Sequence, residues 1–104
     1  MLDAARKAQR LIAGRRRDDL DEDEQLSLAL QRLIEIIGEA AKKVSGETRT
    51  LATSIEWAAI TGMRDRLIHA YFDVNLNLVW DTVTEDLPPL MAALESLLTT
   101  EPPV

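Results

Sequence analysis

The side chains with chemistry to offer gather in one stretch, Gly62-Met63-Arg64-Asp65-Arg66-Leu67-Ile68-His69-Ala70-Tyr71, which holds the only histidine and the only tyrosine of the chain. On a helical wheel at ~100° per residue, Trp57, Ile60, Met63, Leu67, Ile68 and Tyr71 spread over roughly 140° of one side, with Arg64 near the middle. An unpaired guanidinium inside an apolar face cannot simply be buried, because its desolvation costs several kcal/mol. It calls for a carboxylate, an open cleft or an anionic ligand. Asp65 and His69 are four apart, close enough on a helix for a carboxylate to orient the imidazole. Arg64 and Tyr71, seven apart, align over two turns. His69, however, lies roughly 140° from Arg64 on a regular helix. Joint action on one substrate therefore requires a helix that ends near His69, or a second chain that completes the site.

The reaction such residues suit is phosphodiester cleavage in RNA. An imidazole takes the proton of the ribose 2′-OH, and a guanidinium neutralises charge on the phosphorane. The departing 5′-oxygen needs a general acid, and a two-fold dimer would supply it as a second His69. One histidine, no cysteine and no carboxylates clustered around that histidine argue against a metal enzyme. No serine and aspartate are placed with His69 as in a hydrolase triad. No phosphate-cradling glycine spacing occurs, so no cofactor is expected. Two blander readings stand beside the nuclease: a binding module in which Arg64 only holds phosphate, and a helical scaffold in which Arg64 pairs with an internal acid.

The elements that must position these residues read as helices. Residues 2–13 carry Leu2, Ala5, Ala8 and Ile12 on one side, and Gly14 follows as a terminator. The run from Arg15 to Asp19 is expected to be a polar loop. A second helix starts among Asp21, Glu22, Asp23 and Glu24, acids suited to the positive end of a helix dipole. Its apolar positions are Leu26, Leu30, Leu33, Ile37, Ala41 and Val44, with Leu28 and Ile34 off that face. Ala29, Ile36 and Ala40 widen the belt enough to serve its own chain and another. Gly38 would admit a close neighbour, and Ser45-Gly46 is the expected stop. Residues 47–54 should be mostly irregular, with Ser54 as N-cap of the third helix that carries the central stretch. Asp73-Val74-Asn75 breaks that helix and can cap a fourth. Pro88 and Pro89 predict a kink or a fresh start at Leu87-Pro88.

At 104 residues the chain is one domain of the all-α class. Net charge is −6, yet residues 1–20 hold six Lys/Arg against three Asp, and residues 67–104 hold six acids and no Lys or Arg. Solvated helix faces or a focused basic patch fit that distribution better than broad nucleic-acid binding. No disulfide, membrane span or secretory leader is expected, so the cytoplasm is the default location.

Arg64-x4-His69-x-Tyr71 resembles the motif of HepT-like toxins, a branch of the HEPN superfamily. Flanking words are similar too: Leu33-Ile34-Glu35-Ile36-Ile37-Gly38-Glu39-Ala40-Ala41, Trp57-x-x-Ile60-x-Gly62-Met63-Arg64-x-x-Leu67-Ile68-His69, then Tyr71-Phe72-x-Val74, Val79-Trp80 and Asp86-Leu87-Pro88. The likeness spans residues 1–99, leaving 100–104 as a frayed tail. It implies a small all-α HEPN-type bundle of four to five helices that forms a homodimer, with two motifs lining the cleft between protomers. It further implies a metal-independent endoribonuclease acting on mRNA or tRNA, and a toxin of a toxin–antitoxin pair. The partner would be a minimal nucleotidyltransferase antitoxin that transfers AMP to the motif tyrosine. Carried onto this chain, Arg64 and His69 are catalytic, Asp65 is supporting, and Tyr71 is the modified or substrate-positioning residue. Asp65 stands where the family more often has Asn, and Ala70 replaces a frequent Gly. The alternative implied by some relatives is a non-catalytic HEPN module that binds nucleotides or a partner.

Overall fold

A computed structural model describes residues 1–70 and 73–99. Helix α1 spans Leu2–Ile12, and a single turn, α2, covers Asp19–Glu22. The long α3 runs over Glu24–Lys42, and a short α4 over Gly46–Leu51. The third rod is split into α5 (Trp57–Thr61) and α6 (Met63–Leu67). A small antiparallel hairpin follows, β1 (Ile68–Ala70) against β2 (Asp73–Val74), with Ile68 opposite Val74 and Ala70 opposite Asp73. The last rod is α7 (Leu76–Asp81), a π-helical turn (Thr82–Asp86) and α8 (Leu87–Thr99). The class is all-α, as the composition implies, with the hairpin as its one departure.

The rods form where apolar periodicity and caps agree. Asp23 accepts from the Leu26 N–H and opens α3 at its first free donors. Gly14, at φ +74°, turns the chain after α1, a conformation that an L side chain resists. The core side of α3 is Leu26, Leu30, Ile34, Ile37 and Ala41. Ile34 is fully buried, which corrects its expected place off the face; Leu33 is the partly buried one. Leu26, Leu30, Ile37 and Ala41 keep their expected place in the stripe, and α3 packs on α5 at its far end. Gly38 lies against the α5 backbone there, and a Cβ at 38 would sit 3.4 Å from the Ile60 carbonyl oxygen.

Three other expectations change. The loop after Gly14 contains a helical turn, since Asp19 accepts from the Arg16 N–H and Arg17 bridges to Asp21 at 3.1 Å. Helix α3 stops at Lys42, and Ser45 then caps α4 through the Thr48 N–H, so residues 46–51 are helical rather than irregular. Ser54 caps nothing: α5 starts at Trp57, whose indole N–H donates to the Ala52 carbonyl at 3.2 Å.

The prolines explain the π turn. Pro88 and Pro89 lack the N–H groups that would serve carbonyls one turn back. The ladder widens instead, with the Leu87 N–H reaching the Thr82 carbonyl. The Val83 carbonyl, deprived of a donor by Pro88, is met by the side-chain amide of Gln9 at 2.5 Å. That bond also ties α1 to the last rod. A new helix does begin at Leu87, through a widened turn and without a break.

Candidate active site

The rod that carries the motif is the least regular part of the bundle. Gly62 ends α5 with φ −92° and ψ 3°. Its N–H donates to the Ala58 carbonyl, and its own carbonyl accepts from the Arg66 N–H, so the chain passes from α5 to α6 with both of these hydrogen bonds kept. Trp57, Ile60, Met63 and Leu67 are buried and anchor both halves. Arg49 steadies the entry: its guanidinium lies 5.6 Å from the Trp57 ring centre and donates to the Ala41 carbonyl at 2.8 Å. The end of α3 and the start of α5 are thus pinned together. Nothing in the periodicity marked Arg49, because its partners are a backbone carbonyl and an indole face.

Helix α6 ends at Leu67, and the chain is extended from Ile68 to Ala70. Arg64 is therefore the second residue of α6, while His69 is the middle residue of β1. This corrects the wheel on which both were placed. The four-residue helical spacing that would set Asp65 beside His69 is absent. Tyr71 lies outside the described residues, and with it the expected two-turn alignment with Arg64. The change removes a difficulty: once the helix stops, His69 no longer has to sit roughly 140° around an axis from Arg64. Of the two conditions for joint action, the backbone meets the first, a helix that ends near His69.

The hairpin is fastened at its base. The Asn75 N–H donates to the Leu67 carbonyl at 2.7 Å, and the Asn75 side chain caps α7 by accepting from the Leu78 N–H at 3.1 Å. Asn75 thus closes one element and starts another, the role expected of Asp73-Val74-Asn75. Asp65 and Arg66 are exposed on α6. Arg66 donates to the Ala59 carbonyl at 2.8 Å and lines a cavity of about 250 Å³ with Glu56, Glu85 and Asp86 over an Ile60, Met63 and Leu90 floor. That cavity lies between α5–α6 and the last rod, and sequence spacing gave no sign of it.

Four of the six basic residues among positions 1–20 are engaged in ion pairs. Arg6 bridges to Glu95, Lys7 to Asp3, Arg15 to Asp23 and Arg17 to Asp21, at 3.1–3.4 Å. These exposed pairs favour the solvated-face reading. Among the described residues, no group of three or more His, Cys, Asp or Glu could hold a metal ion, and no helix is long and apolar enough to cross a membrane.

The profile of the family described as "Ribonuclease HepT-like" matches residues 1–97. The chain belongs to the HepT-like ribonuclease family. Curated relatives agree with this placement. A protein of Caldanaerobacter subterraneus named "Putative RNase" is 39% identical over 84 residues, 81% of this chain and 75% of the other. A Thermococcus cleftensis protein named "Probable ribonuclease HepT" is 43% identical over 75 residues, 72% of this chain and 68% of that one. No solved structure gives a significant match. In this HepT-like chain the bent rod and hairpin carry the motif Arg64-x4-His69, and the other rods hold it in place.

Proposed function

We propose that this HepT-like protein is a metal-independent endoribonuclease whose working site is completed by two copies of the chain. His69 of one protomer takes the proton of the ribose 2′-OH, and the 2′-oxygen attacks phosphorus. Arg64 neutralises the charge that builds on the phosphorane. His69 of the other protomer, protonated, gives its proton to the 5′-oxygen as the P–O5′ bond breaks. The products are a 2′,3′-cyclic phosphate and a 5′-hydroxyl, so atoms and protons balance without a metal-bound nucleophile. The observation that carries this reading is the end of α6 at Leu67, which frees His69 from the helix that holds Arg64.

The proposed biological setting is that of a cytoplasmic toxin neutralised by a minimal nucleotidyltransferase that transfers AMP to Tyr71. AMP there adds bulk and negative charge two residues from His69, and both oppose RNA binding. Asp65 moderates the rate by lowering the positive potential beside Arg64.

Pure protein incubated with total RNA in EDTA tests the nuclease. Cleavage is expected from the native chain and not from His69→Ala or Arg64→Ala. Full activity in either variant would sink the assignment, and a native chain that binds RNA without cutting it would favour the non-catalytic module. For the off switch, co-expression with the nucleotidyltransferase should add AMP by intact mass, and Tyr71→Phe should abolish the addition.

A further inference from the structure

Where α5 stops at Thr61, its last carbonyls lose the donors that a continuous helix would bring them. The Ala58 carbonyl is served twice, by the Gly62 N–H at 3.1 Å and by the Thr61 hydroxyl at 3.0 Å. The Ala59 carbonyl is served differently. In a continuous helix it would accept from a backbone N–H four residues on. Here it accepts from the guanidinium of Arg66 at 2.8 Å, seven residues on. The Arg66 N–H, in turn, holds the Gly62 carbonyl at 3.3 Å. One residue therefore fastens the joint twice, through its backbone on α6 and through its side chain back onto α5.

The surroundings of Arg66 show that charge alone does not choose this partner. Glu56, Glu85 and Asp86 line the same cavity, yet no ion pair joins any of them to Arg66 among the described residues. The cation is directed at a neutral carbonyl, and a charged donor makes the stronger bond there. The joint matters because α6, at five residues, is too short to hold a direction of its own. Met63 and Leu67 bury it against the core, and the joint sets its direction from α5. Arg64 is its second residue, and β1 with His69 follows Leu67 directly, so the backbone of both motif residues moves with α6.

We propose that Arg66 is a positioning residue for RNA cleavage, a splint that fixes α6 on α5 and so sets where the chain carries Arg64 and His69. Its effect on rate rests on the nuclease reading; its effect on the joint rests on the Ala59 contact alone.

Arg66→Met keeps the side chain's reach and removes its donors. Amide exchange on the intact protein reads the joint. The Gly62 and Asn75 amides should exchange about tenfold faster, the worth of one hydrogen bond from a charged donor, while Ile34 and Ile37 in α3 keep their rates. Cleavage of a defined RNA reads the site. The kcat should fall by about 10²-fold, as for a misplacement on the order of 1 Å, with KM and its salt dependence unchanged. Arg66→Lys, which keeps the charge and a donor, should recover most of kcat. Unchanged exchange at Gly62 and Asn75 overturns the splint. Faster exchange with a native kcat overturns the positioning role. A raised KM whose salt slope drops by about one overturns it in favour of a direct phosphate contact. If the native chain leaves RNA intact while Arg66→Met still exchanges faster, the splint stands and the nuclease reading falls.

Discussion

Helix α3 and the motif rod are neighbours built by opposite means. Helix α3 runs 19 residues without interruption, capped by Asp23 and buried through Leu30, Ile34, Ile37 and Ala41. The motif rod is two five-residue helices joined at Gly62, followed directly by a hairpin. Where every periodic position is apolar, packing and hydrogen bonding agree and the helix continues. Where Arg64 and His69 interrupt the pattern, continuing the helix would set them roughly 140° apart around its axis. The comparison teaches that the segment carrying the motif is the irregular one, and that its geometry is borrowed from the regular one. Gly38 against Ile60 and Thr61, and Arg49 against Trp57 and Ala41, are the joints through which α3 lends that geometry.

The sharpest way to break the comparison is to remove chemistry from the irregular rod and leave packing alone. His69→Ala should lower RNA cleavage by about 10²- to 10⁴-fold, the usual worth of a general acid–base group, with unchanged urea unfolding. A matching loss of stability would mean that His69 serves the fold. The converse substitution belongs in α3. Ile34→Ala should cost about 2–5 kcal/mol in urea unfolding, because Ile34 is fully buried and its neighbours cannot all collapse into the space. Activity lost with it should return when assays are run well below the unfolding midpoint. Between the two lies Asn75→Ala, which removes the cap of α7 at the hairpin base. It should cost about 1 kcal/mol and speed amide exchange at Leu78. A cleavage rate that falls further than this stability loss explains would place Asn75 among the residues that position His69. The smallest expected effect is Asp65→Asn, on an exposed position. It should raise the cleavage rate and leave the unfolding curve in place, and a slower variant would instead give Asp65 an orienting role.

Legibility in the sequence followed the same divide. Helices α1 and α3 were read close to their true bounds, since Gly14 and the acids before Leu26 punctuate a strong apolar period. The restart at Leu87 was read from Pro88 and Pro89, while the π turn was not, because it depends on Gln9 reaching the Val83 carbonyl from 74 residues away. Asn75 was read as a cap because its side chain acts on a local backbone group. The end of α6 at Leu67 was legible only as one of two conditions for joint action: Leu67 and Ile68 keep the helical period, and the pairing of 68–70 with 73–74 overrides it. Arg49 and Arg66 were passed over because each donates to a backbone carbonyl, which side-chain spacing cannot register. Arg64 and His69 stood out by type alone, and the motif around them led to the family that residues 1–97 match.

The central claim is that Arg64 and His69 cut RNA through the ribose 2′-OH. End-group analysis of a defined RNA treated with the metal-stripped protein tests it most directly. The account predicts 2′,3′-cyclic phosphate and 5′-hydroxyl ends from the native chain and intact RNA with His69→Ala. Products bearing 5′-phosphate and 3′-hydroxyl ends, or undiminished cleavage by His69→Ala, would contradict it.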